Sequence, residues 1–400
     1  MRIDANTRHF IEQNLEADVR QLALQGCRDA EVDLPLALRQ IAGRQVARRK
    51  LPSWAANDDI LYPVSLSMEQ CSSEQTARYK AEVCRRLTAA CPAPRTLIDL
   101  TGGFGVDCTL MSLSVERTIY VEQNADLCAV AASNFHAMGR QVETVCADGI
   151  DYLHHLSHHA TVIFLDPARR DGHGGRTYGI ADCTPNVLAV SDELLDRADF
   201  VILKLSPMLD WRKAVQDLGE PSVREVHIVS VQNECKELLI VMQRTNNAPL
   251  TLFCVNDDSV WSSSPTAVAS PLPPKEISEG LYLYEPNASI MKAGCFSEVA
   301  AAFGVQPLAR NSHLFVADSL KADFPGRKFR ISAISSMNKQ KLKTALKNIR
   351  QANVTVRNFP LTVAELRKRL QLTDGGSDYI FATTLADNRH VLLCCQKASS

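Results

Sequence analysis

The hydrophobic pattern of the chain changes character twice, and each regime predicts different elements. Over the first fifty residues, Phe10, Ile11, Leu15, Val19, Leu22 and Leu24 recur at helical spacing, as do Leu36, Leu38 and Ile41. Gly26, Pro35, Pro52 and Pro63 punctuate this helical stretch, and Ser73 is placed to cap a further helix. From Thr96 the pattern becomes short apolar runs separated by helical stretches, which predicts strands at 96–101, 118–123, 142–147, 161–166, 200–205 and 224–232. Such alternation predicts a mostly parallel sheet with helices on both faces, a doubly wound α/β fold. The apolar runs 223–232 and 238–242 leave too little chain between them for a crossover helix, so an antiparallel hairpin is expected there.

A second change falls at Asn246. Residues 246–274 hold Ser262-Ser-Ser-Pro265 and Pro271-Leu-Pro-Pro274, a linker or surface hairpin. A small α/β unit follows, with a helix at 289–303 and a strand at 312–316. Beyond Gly326 the expected order is strand 328–334, basic helix 339–351, strand 354–358, helix 362–371 and strands 378–384 and 390–396. The pattern therefore divides the chain into 1–70 (helical), 71–245 (doubly wound), 246–325 (linker and small α/β unit) and 326–400 (basic, α+β).

Chemistry concentrates at the ends of the predicted strands. Asp99-Leu-Thr-Gly-Gly-Phe-Gly105 is a glycine turn after a strand, and Glu122 lies nineteen residues beyond Gly103. Glycines there allow backbone to approach a ligand, and an acid at that distance accepts hydrogen bonds from ribose hydroxyls. A nicotinamide-binding fingerprint would need Gly-x-Gly-x-x-Gly, and Asp107 stands where that pattern requires a small residue. A third element, Asp166-Pro-Ala-Arg169, follows the fourth strand.

Together these motifs make residues 96–244 resemble the class I S-adenosyl-L-methionine (AdoMet)-dependent methyltransferases. The resemblance implies a seven-stranded Rossmann-like sheet and a cofactor held by Asp99, Thr101, Gly102, Gly103, Gly105, Glu122 and Gln123, with Asp148 and Gly149 beside the adenine. It places Asp166 and Pro167 in the catalytic loop, with Arg169, Lys204 and Ser206 near the acceptor. Pro286-Asn-Ala-Ser-Ile-Met-Lys292, Asn311-Ser-His-Leu314, the run 358–366 and Ser73-Glu-Gln-Thr-Ala-Arg-Tyr-Lys80 are similar to bacterial methyltransferases carrying a THUMP-like C-terminal region. That resemblance implies a ferredoxin-like unit within 246–325, a THUMP-like domain over 326–400, and RNA as substrate.

The catalytic loop narrows the reaction. Loops of the Asn/Asp-Pro-Pro-aromatic kind hold an exocyclic amine while the ring stacks on the base; here Ala168 and Arg169 replace the second proline and the aromatic residue. Stacking would come from Tyr178, Trp211 or Tyr79, or from the Arg169 guanidinium. Methylation at carbon 5 of a pyrimidine needs a cysteine nucleophile after the fifth strand, and the run there, Leu203-Lys-Leu-Ser-Pro-Met-Leu-Asp210, has none. An amino or ring nitrogen is the expected acceptor. Gln75 and Tyr79 either close over the methionine end of the cofactor or belong to a plain packed helix. Gly172-His-Gly-Gly175 is either a substrate-ordered flap or an insertion. His154-His-Leu-Ser-His-His159 has helical i,i+4 pairs but no cysteine or acid beside them, and is expected to be surface rather than a metal site.

Charge then adds a partner. The net charge of −1 conceals fourteen Lys/Arg against three acids between Arg310 and Arg369, a balance of 14 − 3 = +11 that leaves −12 elsewhere. Clustering on that scale suggests a polyanion, with Arg170, Lys339, Lys341, Lys343, Lys347 and Arg350 as expected nucleic-acid contacts. Arg39, Arg44, Arg48, Arg49 and Lys50 form a smaller basic patch, either an RNA contact or a solvated helix face. Thirteen scattered cysteines without a Cys-x-x-Cys pair argue for reduced thiols, and no apolar run approaches the ~18 residues a membrane span needs. A cytoplasmic AdoMet-dependent RNA methyltransferase acting on transfer or ribosomal RNA is the expectation. Its alternatives are an RNA-binding protein with a vestigial pocket and a methyltransferase for protein or a small molecule.

Overall fold

The computed structural model describes residues 3–27, 29–169, 179–244, 248–265, 270–274 and 276–398. It separates into two compact units, Met1–Val231 with Lys236–Leu250, and Gln232–Cys235 with Thr251–Ser400.

The first unit is built on seven strands: β1 (Thr96–Asp99), β2 (Arg117–Glu122), β3 (Glu143–Cys146), β4 (Ala160–Leu165), β5 (Ala198–Leu205), β6 (Val223–Val231) and β7 (Glu234–Met242). Their order across the sheet is β6-β7-β5-β4-β1-β2-β3. Pairings from β3 through β5 are parallel, and β7 runs antiparallel to β5. Chain order reverses between β1 and β4, which opens a crevice at the carboxyl ends of those strands. Every residue of β4 is buried, as expected of a parallel strand covered on both faces. On one face, Val83, Cys84 and Leu87 of the helix Glu74–Thr88 pack against Leu97, Val162, Phe164, Phe200 and Ile202.

The β6–β7 hairpin is tighter than the sequence suggested. β7 begins at Glu234, and a two-residue turn, Gln232 and Asn233 with φ of 51° and 61°, joins the strands. Glu237, which broke the apolar pattern, is a strand residue whose carboxylate is buried.

The N-terminal helices Ala5–Gln13, Val19–Gln25 and Leu34–Lys50 belong to the same compact unit. Trp54, Tyr62 and Met68 share a core with Phe104 and Val106 of the glycine loop. The N-terminal segment thus supports the loop that follows β1.

The second unit holds an antiparallel hairpin, Thr251–Asn256 with Ser259–Ser263, where the Ser/Pro-rich stretch begins. Its main sheet joins Tyr282–Pro286, Phe315–Ala317 and Gly326–Ser335 to Asn353–Arg357, Asp378–Thr384 and His390–Lys397. The helix expected at 289–303 is two helices, Ala288–Ala293 and Phe296–Phe303, because Gly294 at φ 67° closes the first in the left-handed region. Side-chain alternation separates the sheet's faces. Ile380, Ala382, Leu392 and Cys394 lie in one core with Leu342, Leu346 and Leu366, whereas Phe381, Leu393 and Cys395 lie in another with Leu283 and Phe329. The helices Lys339–Ala345 and Val363–Leu370 therefore cover the same face. The first of them stops six residues before its expected end at 351.

Candidate active site

At the end of β1, the glycine loop stays hydrogen-bonded to both neighbouring strands. Leu100 N donates to Phe164 O (3.0 Å) and Gly102 N to Val121 O (2.9 Å). A Cβ on Gly102 would lie 2.1 Å from the Tyr120 ring, so only glycine lets the loop rest there. Gly103 and Gly105 take φ of 56° and 81°, and Phe104 between them is buried with its ring centroid 5.0 Å from that of Trp54. Glu122 reaches across from β2: one carboxylate oxygen accepts from Gly103 N and the other from Asn124 N, both at 2.8 Å. Each oxygen retains accepting capacity.

Asp99 is 1% exposed and accepts from Thr101 N at 3.0 Å. Burial pushes its carboxyl well above the ordinary range, and the negative charges of Asp107, Asp166 and Glu122 push the same way. Thr101 Oγ1 accepts from Asp166 N at 2.6 Å, which ties the glycine loop to the loop after β4. The charges of Asp107, Asp166 and Glu122 thus act on a buried carboxyl at the end of β1. Asp148 is exposed and caps the helix Gly149–His154, accepting from Ile150 N (2.8 Å) and Asp151 N (3.1 Å). A Cβ on Gly149 would lie 2.0 Å from Leu100 O, so that turn is also glycine-dependent. Gln123 is exposed beside Glu122.

The loop after β4 carries Asp166 half-exposed and Pro167 buried, then pairs Ala168 with Thr184 in a short antiparallel bridge. Lys204, near the end of β5, donates to one carboxylate oxygen of Asp166. Burial alone would lower the Lys204 pKa, but Asp166, Asp107 and Glu237 outweigh it and raise it. Ser206 Oγ accepts from Met208 N at 3.2 Å and so shapes the turn after β5.

Behind Lys204 lie groups the sequence reading did not single out for the site. Lys80, on the helix Glu74–Thr88, donates to both oxygens of Glu237 at 2.5 and 2.6 Å and stands 3.3 Å from Asp107 Oδ1. Ser72 Oγ donates to Asp107 Oδ2 at 2.7 Å. A signal for Lys80 was available: it falls on the stripe formed by Ala77, Val83, Cys84 and Leu87, where a charge needs a buried partner.

Two of the proposed stacking side chains are engaged elsewhere. Tyr79 OH is hydrogen-bonded to His227 Nδ1 at 2.7 Å; His227 Nε2 in turn lies 3.1 Å from Glu225. Although burial raises the Glu225 pKa, hydrogen bonds from Arg86 and His227 prevail and bring it to about 2. Trp211 is buried, and the Arg212 guanidinium lies 4.4 Å from its ring centroid. Arg170, Gly172 to Gly175 and Tyr178 lie outside the described residues, as does the Arg169 side chain.

The helix Gly149–His154 ends before most of the histidine cluster. His154 pairs with Glu193 (2.8 Å) and His159 with Asp199 (3.0 Å), so these two rings turn to different acids. Among the described residues, no three His, Cys, Asp or Glu side chains gather to hold a metal, and no helix is long and apolar enough to cross a membrane. In the second unit, Lys339, Lys341, Lys343, Lys347 and Arg350 are all exposed, on the helix Lys339–Ala345 and the turns after it. Lys368 and Arg369 are exposed on the companion helix.

Comparison with known proteins agrees with this architecture. Residues 326–397 match the family model of a THUMP domain-like region, and residues 282–325 that of a ferredoxin-like domain. No curated protein sequence matches the chain. The crystal structure of a "putative methyltransferase" from Porphyromonas gingivalis W83 superimposes with a TM-score of 0.86, at 30% identity over 100% of both chains. A SAM-dependent methyltransferase from Agrobacterium tumefaciens is a more distant match, at 16% identity over 42% of this chain and 62% of that one (TM-score 0.32). An rRNA methylase from Streptococcus thermophilus matches at 11% identity over 41% and 95% (TM-score 0.31). Full-length likeness to the Porphyromonas protein, with both C-terminal family matches, shows that the chain belongs to the class I AdoMet-dependent methyltransferases that carry a THUMP-like C-terminal region.

Proposed function

We propose that the protein transfers a methyl group from AdoMet to a base nitrogen of RNA. AdoMet supplies an electrophilic methyl on a sulfonium. Its amino acid end would face Asp99 and the loop Thr101, Gly102, Gly103 and Gly105, its ribose would face Glu122 and Gln123, and its adenine would lie beside Asp148 and Gly149. Crowding of Asp99, Asp107, Asp166 and Glu122 favours a ligand bearing positive charge.

The acceptor chemistry follows from Asp166. Lys204 occupies one oxygen of that carboxylate, leaving the other to accept an N–H from the acceptor. Asp166 would thereby orient the acceptor nitrogen, and Pro167 fixes the backbone on which the carboxylate sits. The proton that the acceptor nitrogen loses would pass to the half-exposed Asp166 carboxylate and on to solvent. Alignment is the main catalytic contribution of such a site. Arg169, Arg170 and Ser206 would contact the acceptor around this point.

The observation that carries the RNA assignment is the exposed basic face of the second unit, Lys339, Lys341, Lys343, Lys347 and Arg350 on one side of a THUMP-like sheet. On this reading, residues 1–70 and 71–245 form the cofactor and catalytic end, and 246–325 and 326–400 dock the acceptor. The test is incubation with methyl-labelled AdoMet and total RNA from cells lacking the gene. Label in one RNA fraction, abolished by Asp166→Ala, is expected, and nucleoside analysis then identifies the atom. AdoMet binding without label in RNA would instead indicate a protein or small-molecule acceptor.

A further inference from the structure

Five charged side chains form a line that runs from the interior of the first unit to the acceptor position: Glu237, Lys80, Asp107, Lys204 and Asp166. Lys80 has no exposed surface, and the Glu237 and Asp107 side chains are only 4% and 11% exposed. Asp166 alone, with 37% of its side chain exposed, reaches the crevice. Lys204 has a choice of carboxylates. It binds Asp166 directly but stands 3.9 Å from Asp107 Oδ2, too far for a hydrogen bond.

The choice has a physical reason. Asp107 already faces the Lys80 ammonium, an ion pair at 3.3 Å without a hydrogen bond, and accepts from Ser72 Oγ at 2.7 Å. With its charge shared in this way, it competes weakly for Lys204. Lys80 in turn is held by both oxygens of Glu237. A well-packed apolar pair would serve stability equally well or better, because two buried charges are costly to desolvate.

We propose that Lys80 and Glu237 are a positioning pair for methyl transfer, keeping Lys204 on Asp166 by occupying Asp107. The inference rests on the methyltransferase reading and not on the identity of the acceptor. Neither residue touches the crevice; both act through Asp107 and Lys204.

The test is the neutral replacement Lys80→Met with Glu237→Leu in the full-length protein. With Lys80 gone, Asp107 is free to draw Lys204 away. The expected result is a fall in kcat of about tenfold or more, with AdoMet affinity and thermal midpoint near those of the parent. Adding Asp107→Asn removes the competitor, and kcat should recover most of that loss. Should the double replacement fail to fold, Ser72→Ala perturbs Asp107 more gently, and its smaller loss should likewise be reversed by Asp107→Asn. A parent-like kcat in the double variant, or no recovery in the triple, overturns the proposal. The rates are read on total RNA from cells lacking the gene. A parent protein that leaves that RNA unlabelled discredits the RNA reading alone, because a crystal structure of the double variant decides the positioning independently. Lys204 Nζ nearer Asp107 than Asp166 supports it, and an unmoved Lys204–Asp166 pair overturns it.

Discussion

The two units use charge in opposite ways. Behind the crevice of the first, Lys80, Asp107, Glu237 and Lys204 are withdrawn from solvent and each lies against a named partner. On the helical face of the second, Lys339, Lys341, Lys343, Lys347 and Arg350 stand in water. Between buried groups in a low dielectric, attraction is strong and short of alternatives, so it fixes geometry. Between exposed groups it is screened within about 10 Å at ordinary salt, so those lysines supply a field and not a geometry. Glu285 is the second unit's intermediate case. Buried on the ferredoxin-like segment, it accepts from Arg327 Nε at 2.7 Å and from the Arg357 guanidinium at 3.0 Å, both on the THUMP-like segment. Here too a buried carboxylate fixes relative placement, this time of two parts of one sheet.

The sharpest way to break this contrast is to remove a group where position matters most. Asp166→Ala should lower kcat by roughly 10² to 10⁴ while leaving AdoMet affinity within a few-fold; isothermal calorimetry beside the labelling assay separates the two. Equal losses in both would place Asp166 in cofactor binding instead. Next comes Gly102→Ala, whose added Cβ must displace the Tyr120 ring 2.1 Å away. The expected cost is about 1–3 kcal/mol of stability, with weaker AdoMet binding as the loop shifts. A thermal melt with and without AdoMet measures both.

Asp99 gives the contrast a pH dependence. Its carboxyl is raised above the ordinary value, first by burial and then by Asp107, Asp166 and Glu122. The stability this neutral carboxyl contributes is full below the unfolded value and is lost as pH rises through the raised folded value. A cationic ligand has the opposite preference, since it gains from the ionised form. AdoMet affinity should therefore rise with pH across that same window, with proton release on binding. Asp99→Asn should weaken binding and flatten its pH profile. Calorimetry in buffers of different ionisation enthalpy reads the proton release directly, and a flat profile in the parent would contradict the assignment.

How far the sequence could be read follows from the same physics. The parallel strands were legible because burial on both faces makes them continuous apolar runs, as in Ala160–Leu165. The loops were legible because Asp99, Gly102, Gly105 and Glu122 occupy spacings that the turn itself requires. Glu237 misled the hairpin boundary, since a charge inside a strand looks like loop until its partner is known. That partner, Lys80, is 157 residues away in the chain. Local periodicity marks Lys80 as an anomaly on an apolar stripe, but only the folded sheet shows that Lys80, Glu237 and Asp107 meet. Likewise, Tyr79 and Trp211 looked available for stacking because a sequence does not reveal that His227 and Arg212 have already engaged them.

The smallest expected effect lies on the exposed face, and it discriminates because its form differs from all the others. Lys341 and Lys343 project from a helix whose apolar side, through Leu342 and Ala345, packs into the sheet. Replacing both with alanine keeps good helix formers and leaves that packing intact, so the thermal midpoint should hold. AdoMet affinity should hold too. RNA affinity should fall several-fold at low salt, and the fall should shrink as salt rises, because each lost phosphate contact reduces the salt slope by about 0.7 for a single strand and 0.9 for a duplex. A filter-binding series over salt concentration measures that slope. Losing two contacts predicts a reduction of about 1.4 to 1.8, whereas a loss of affinity without a change of slope would mean that Lys341 and Lys343 do not meet phosphate. The same series on Lys80→Met with Glu237→Leu should leave the slope unchanged, since charges hidden from solvent release no counterions when RNA binds.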